Sequence, residues 1–388
     1  MTLLPLATPI ALALLAFVTA LVLSKFVIAL VVRIGWVDRP NNRKIHDGAV
    51  PLAGGLMIVL TLSPLIALSG LWQFPVGVFW LCGCLVFAIA FVDDRFPIRA
   101  RYRFFVQLAA ACLFALIGHT QLNGLGRLLG PFEFDMALFA LPITVIGIVA
   151  ATNAFNMMDG VDGLAGGVLN STLFCLALAF LLIAQSATSS NMATSALSVT
   201  KATLTSEAAA AVDMCCLMIG AIGAFLLLNQ RSPWRSRAAI FLGDGGSMTM
   251  GFMVVVMTVY ASGGFGNKGL GAASAAWILG LPIIDLCSAI LRRVIAGKTP
   301  MTPDRRHVHH LMLALGLPVS RAVVVLQCAS LLMGMVGVLG WHYGVADYLL
   351  SWSFALLFAL YYCVSQRIWN LLEPTEQKRR VDRAMAID

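Results

Sequence analysis

The chain reads as an all-α polytopic integral membrane protein of about eleven transmembrane helices. Its 388 residues are 60% hydrophobic and only 11% charged. Its mean hydropathy of +0.90 lies far outside the soluble range. Apolar runs recur at lengths near the roughly 20 residues that carry a helix across a hydrocarbon core. The charges that remain gather in a few short stretches at the ends of those runs, where they would be costly to keep without a use.

Taken in order, hydropathy predicts spans over 5–34, 52–70, 76–92, 104–118, 137–154, 164–186, 209–229, 245–262, 270–291, 321–341 and 347–364. The first has no basic residue before Lys25 and no small-residue cleavage pattern, so it is expected to stay as a helix rather than act as a signal peptide. It is long enough to tilt or project beyond the bilayer, with Lys25 snorkelling or lining an aqueous surface. Pro97 predicts that the helix ending at Asp93 and Asp94 breaks at Arg95 to Phe96. The segment 187–208, rich in Ser, Thr and Ala, reads as a tolerant connector. All nine cysteines lie in apolar segments and are read as small hydrophobes, with neither a disulfide framework nor a zinc site.

An odd number of spans puts the termini on opposite sides, and the basic residues choose which. With the C-terminus cytoplasmic, 22 of the 26 Lys and Arg residues fall on or beside the cytoplasmic segments. Only Arg127, Lys201 and Lys268 fall on the other face. The expected topology is N-terminus periplasmic and C-terminus cytoplasmic. The formal net charge of +8 follows from attraction to anionic lipid and needs no nucleic acid. A single transmembrane catalytic domain fills 1–388, and 365–388 forms a basic tail whose Lys378, Arg379, Arg380 and Arg383 hug the membrane.

Five polar stretches then share one face: DRPNNRKIH from Asp38, VDDRFPIRARYR from Val92, NAFNMMDGVDGLAGG from Asn153, FLGDGGS from Phe241 and TPDRRHVHHLM from Thr302. Asp93 and Asp94 repel each other unless a cation, a proton or a basic neighbour relieves them. Arg95, Arg99, Arg101 and Arg103 follow, a mixture suited to a metal and phosphate oxygens, although such a charged helix end is also what a positive-inside loop produces. Asn153, Asn156, Asp159 and Asp162 offer oxygen ligands among glycines, and continued helix would put the last three on neighbouring faces. Glycines alone would be read as helix packing, but that does not account for two Asp and two Asn. The EF-hand ligand series is missing. Asp244 precedes Gly245, Gly246 and Ser247 at the start of a span, where it reads either as a helix cap or as a cation ligand beside amides that face an anion. His307, His309 and His310 lack the Cys pair or HExxH helix of a zinc site. With Arg305 and Arg306 they suit phosphate binding or stabilisation of a leaving group, and Lys44 and His46 add cationic donors.

This ordered set, together with PLAGG at 51–55 and RRVIAGKTPMTPDRRHVHHLM at 292–312, resembles the polyprenyl-phosphate N-acetylhexosamine-1-phosphate transferases over nearly the whole chain. The His-x-His-His block is similar to the bacterial undecaprenyl-phosphate GlcNAc branch; the muramoyl-pentapeptide branch usually carries three consecutive histidines. The resemblance implies transfer of GlcNAc 1-phosphate from UDP-GlcNAc to undecaprenyl phosphate with release of UMP. It implies Mg²⁺, with Mn²⁺ admitted in its place. It also implies a multi-pass place in the bacterial cytoplasmic membrane with the site facing the cytoplasm, the first step of a lipid-linked surface polysaccharide such as O antigen, and compatibility with a homodimer. By the same resemblance Asp244 and Asn156 ligate the metal, while Asp93 and Asp94 position or deprotonate the acceptor. Asp159 and Asp162 lie in or beside the nucleoside pocket. Lys44, His46, Arg103, Asn153, Arg305, Arg306, His307, His309 and His310 handle phosphates, nucleotide and sugar, and Asp38 belongs to the motif. Many relatives carry a third acid where this chain has Pro97, so no role is carried over to that position.

Phosphoryl transfer rests largely on positioning and charge neutralisation, which such a set can supply. Direct attack by the lipid phosphate is favoured over an aspartyl-phosphate, because a site holding both substrates gains most of its rate from proximity. The same reaction with another UDP-N-acetylhexosamine is the main alternative. A transporter is a distant one, since transporter sites lie near the midplane between repeats and these residues cluster at one face.

Overall fold

The computed structural model describes residues 7–38, 49–73, 75–118, 120–122, 124, 136–189, 195–300, 302 and 306–372. Lys44, His46, Arg305 and the basic positions of the tail lie outside them. The chain is an all-α membrane protein. Its helices are α1 (Ala7–Arg33), α2 (Gly54–Leu68), α3 (Val76–Asp93), α4 (Ala100–Ile117), α5 (Ala140–Met157), α6 (Leu164–Ser189) and α7 (Ser195–Asn229). They continue with α8 (Gly243–Gly263), α9 (Ala272–Ile278), α10 (Gly280–Ile295), α11 (Val308–Ala314), α12 (Val319–His342) and α13 (Asp347–Leu371). A two-residue antiparallel pair, β1 (Val37–Asp38) and β2 (Val50–Pro51), joins α1 to α2.

Each predicted span holds helix, but they are not eleven equal crossings. Among the described residues nine helices are long and apolar enough to cross a membrane, while α2 is a shorter apolar helix of 15 residues. The expected span 270–291 is broken. Helices α9 and α10 meet at Leu279 with a bend of 88°. Pro282 in the first turn of α10 lacks the N–H that would carry hydrogen bonding back across the break. The connector 187–208 is helical from Ser195, where α7 begins.

The first helix explains its own lysine. Gly220 of α7 sits against the Ala13 carbonyl and Gly223 against Phe17, so α1 and α7 run side by side in the same direction. Twelve residues beyond Ala13, about 18 Å along a helix, bring the exposed Lys25 level with the end of α7. Its ammonium therefore stands at the bundle edge, and α1 projects about two further turns.

Helix α8 is the hub, with every residue from Gly245 to Ala261 buried. The hydroxyls of Ser247, Thr249 and Thr258 donate within the helix, to the carbonyls of Gly243, Gly245 and Val254, and the Tyr260 hydroxyl donates to Glu207 of α7 at 2.9 Å. Small residues let neighbours approach, as in membrane bundles generally. A Cβ on Gly55 would lie 2.5 Å from the Gly246 nitrogen, and one on Gly251 would lie 2.7 Å from Cβ of Phe155. The PLAGG segment is laced to the start of α8 by backbone bonds. Gly54 N donates to Phe241 O at 2.9 Å, Gly55 N to Leu242 O at 3.0 Å, and Phe241 N to Pro51 O at 2.9 Å.

Because only backbone faces Gly55, the neighbouring chain cannot rotate away from an added methyl. Gly55→Ala is expected to destabilise the protein by about 1–3 kcal/mol, read as a lowered thermal midpoint in detergent.

Candidate active site

Helix α3 ends where its carboxylates begin. Asp93 turns back to accept Ile98 N at 2.6 Å, closing the turn that Pro97 forces, and the helix stops there as expected. The other Asp93 oxygen accepts Arg103 Nη1 at 2.5 Å. The same Nη1 donates to Asp244 Oδ2 at 2.7 Å, so one guanidinium bridges carboxylates 151 residues apart in sequence. Asp244 Oδ1 accepts Asn156 Nδ2 at 3.0 Å, and Asn156 also donates to Ser247 Oγ at 2.8 Å. Asn153 stands one turn back on α5, donating to Gln107 Oε1 and to Val149 O, both at 2.7 Å.

Asp94 occupies the N-terminus of α8. Its Oδ1 accepts Asp244 N at 2.8 Å and its Oδ2 accepts Gly245 N at 3.0 Å. The amides expected to face a substrate anion thus hold this carboxylate. Asp244 itself is not a cap; it lies within the first turn of α8 and its side chain is turned to Arg103 and Asn156. Burial drives the Asp94 carboxyl up to about 7, Asp244 and Asp93 push the same way, and the two backbone N–H groups oppose them.

The Asn156, Asp159, Asp162 series does not continue as helix, because α5 ends at Met157. Asp159 lies half-buried on the following turn. Asp162 binds Arg231 Nε at 2.9 Å. Gly160 brings that turn to the histidines: a Cβ there would lie 2.7 Å from His309 Nε2. His309 is 2% exposed, its Nδ1 has no hydrogen-bond partner, and burial lowers its pKa, with His310 and His307 adding to the effect. The His309 ring centroid lies 4.3 Å from that of His310 and 5.9 Å from that of His307. Arg306 is exposed, with its carbonyl held by Arg292 Nη2 at 2.7 Å. Asp38 lies in β1, paired with Val50.

Sequence reasoning missed Asp285. This buried carboxylate accepts His307 Nδ1 and Val308 N, each at 2.8 Å, and the Tyr361 hydroxyl at 3.2 Å. A lone Asp inside an apolar run was the available signal. It also missed Arg231, and Arg292 and Arg293 as supports for the histidine loop. Arg293 Nη1 donates to Pro300 O at 2.5 Å, so both arginines pin the loop between α10 and α11.

Among the described residues no three His, Cys, Asp or Glu side chains converge as a metal cluster. The donor chemistry nevertheless suits a hard divalent cation: Asp93, Asp94 and Asp244 stand together with Asn156 and Ser247, and among the described residues Arg103 alone pairs with that group of carboxylates.

Residues 76–262, from α3 through α8, match the model of glycosyl transferase family 4. Over 357 residues the chain is 31% identical to the undecaprenyl-phosphate alpha-N-acetylglucosaminyl 1-phosphate transferase of Yersinia pestis, covering 91% of this chain and 90% of that one. The chain belongs to this family of phosphoglycosyl transferases. Proteins of the same name from Escherichia coli K12 and Haemophilus influenzae are 30% and 33% identical. They cover 90% and 89% of this chain, and 89% and 91% of their own lengths. In this phosphoglycosyl transferase the family match takes in every carboxylate of the Arg103 cluster and stops before Asp285 and the histidines.

Two outcomes follow from the geometry. A carboxyl whose folded pKa is raised binds more protons folded than unfolded, so stability falls as pH rises from the usual carboxylate range to about 7. In divalent-free detergent the thermal midpoint should decline over that interval, and Asp94→Asn should flatten the decline. Asp285→Ala orphans the Val308 N–H and the His307 ring nitrogen. It should cost about 1–3 kcal/mol in denaturation measurements and depress turnover.

Proposed function

We propose that this chain transfers GlcNAc 1-phosphate from UDP-GlcNAc to undecaprenyl phosphate, forming undecaprenyl-pyrophosphoryl-GlcNAc and UMP. The observation that carries the reading is the convergence of Asp93, Asp94, Arg103, Asn156 and Asp244 at one end of a membrane bundle. The names of the relatives, 30–33% identical over about nine-tenths of the chain, speak of undecaprenyl phosphate and an N-acetylglucosaminyl 1-phosphate group and support these substrates.

An oxygen of the lipid phosphate attacks the sugar-bearing phosphorus of UDP-GlcNAc. The bond from that phosphorus to the bridging oxygen breaks, and UMP leaves with the electron pair. Asp244 and Asn156 are assigned to hold Mg²⁺, which when bound supplies charge neutralisation at the pyrophosphate. Arg103 sets the spacing of Asp93 and Asp244. Asp94, poised near neutral pH, is the better placed of the α3 carboxylates to take a proton from the acceptor. His309 faces the turn bearing Asp159, His310 lies beside it, and both are assigned, with Arg306, to the nucleotide and sugar phosphates. The proposed setting is the bacterial inner membrane, with this end facing the cytoplasm, at the start of a lipid-linked surface polysaccharide. The basic residues flanking the spans support that orientation.

The decisive experiment is UMP release from UDP-GlcNAc by purified protein, with and without undecaprenyl phosphate and with EDTA. Release requiring both lipid and divalent metal is expected. Asp94→Asn, Asp244→Asn and His309→Ala should each lower turnover by about 100-fold or more while the folded protein remains in the membrane. Release that ignores the lipid would refute the reaction; a stronger response to a 4-epimer or 6-deoxy UDP-sugar would reassign the donor.

A further inference from the structure

The last residues of α7 do more than end a helix. Asn229 is 5% exposed and uses both ends of its amide on different loops. Its Oδ1 accepts Gly163 N at 2.7 Å, and its Nδ2 donates to Ile240 O at 2.8 Å. Gly163 closes the turn that follows Asn156, Asp159 and Gly160; Ile240 opens the segment that leads to Asp244. These two loops supply Asn156 and Asp244, whose side chains meet at 3.0 Å. The neighbours of Asn229 act on the first loop. Gln230 lies under Gly163, where a Cβ would come within 2.8 Å of Gln230 Cγ, and Arg231 Nε holds Asp162 at 2.9 Å. Gly163 has φ +84°, and its carbonyl accepts Gln327 Nε2 at 3.0 Å, so both of its backbone polar groups are spoken for by side chains of other helices.

We propose that Asn229 is a positioning residue of the transferase: by tying Gly163 to Ile240 it sets the separation of Asn156 and Asp244. The inference rests on the roles given above to those two residues. Asn229 does not touch either of them and acts through backbone. Removing its amide takes one tie from each loop, and their drift displaces the Asn156–Asp244 pair and disturbs the turn that carries Asp159, while the lipid side of the site stays in place. The signature is a loss of kcat with little change in KM for the lipid acceptor.

The test uses purified full-length Asn229→Ala in detergent, with UMP release measured while each substrate is varied. A displacement of about 1 Å predicts a fall in kcat of about 100-fold, with KM for the lipid acceptor within about twofold of wild type. In hydrogen–deuterium exchange, segments 159–164 and 240–246 should exchange faster together, while the interior of α8 stays protected. A folded variant with kcat within about threefold of wild type, or with raised KM alone, overturns the proposal. If the alanine variant aggregates, Asn229→Asp keeps the acceptor and the volume, loses the donor to Ile240, and is judged by the same split. Should wild-type protein release no UMP from any UDP-sugar, the proposed reaction falls and exchange decides alone. Unchanged exchange in both loops overturns the positioning role, and a joint rise sustains it.

Discussion

The grip of Asp94 on the first turn of α8 is the interaction on which the rest of the site depends. A carboxylate at a helix N-terminus gains from the aligned peptide dipoles and from charge-assisted hydrogen bonds. Here both oxygens are used, on Asp244 N and Gly245 N, and α3 is thereby locked to α8. The lock requires Gly243: its φ of +74° is left-handed, and a Cβ there would lie 2.7 Å from Asp94 Oδ2. With that turn fixed, the side chain of Asp244 reaches Arg103 and Asn156.

Holding Asp93, Asp94 and Asp244 together costs electrostatic energy, and the chain spreads the cost over different partners. Asp93 is relieved by Arg103 and a backbone amide, Asp244 by Arg103 and Asn156, and Asp94 by two backbone amides. Among the described residues no cation pairs with Asp94, and its carboxyl is the one driven up to about 7. A divalent cation would reverse that balance by favouring the ionised form. The acid–base state of this residue and metal binding are therefore linked, since each proton lost strengthens the cation's hold and each cation bound favours loss of the proton.

How much of this was legible in the sequence depends on the kind of signal. Span positions were legible because a bilayer imposes length and apolarity on each segment. The stop after Asp93 was legible because proline restricts its predecessor. The break at Leu279 was not: 270–291 is apolar apart from Asp285 and two serines, and a hydropathy window does not see that Pro282 and a buried polar face turn the second half aside. Asp94 and Asp244 stood out as carboxylates in apolar company, but their mutual arrangement, one carboxylate seated on the other's amide, is a tertiary fact with no local trace. Asp162 was grouped with Asn156 by its spacing and is instead bound to Arg231, because the helix that would have aligned them ends at Met157. Asn229 was hidden for the opposite reason, since a polar residue at the end of an apolar helix is expected at any membrane edge.

The site is assembled from two halves with different supports. The carboxylate half lies within the stretch matched by the family model and hangs on α3, α4, α5 and α8. The histidine half hangs on α10 and α11, where Asp285 fixes His307 and the arginines fix the loop before it. The bend at Leu279 makes this second half usable. In α10, Asp285, Ser288 and Arg292 recur at helical spacing and are all buried, so its polar face is turned inward. A straight α9–α10 helix would carry that face along the direction of α9; turned by 88°, α10 can lead to the loop that presents the histidines. The two halves touch where Gly160 meets His309, with no room for a side chain between them. That contact closes the seam itself, so a group bound beside it would meet both halves, which suits a reaction in which a phosphoryl group must be gripped by its donor and its acceptor surroundings at once.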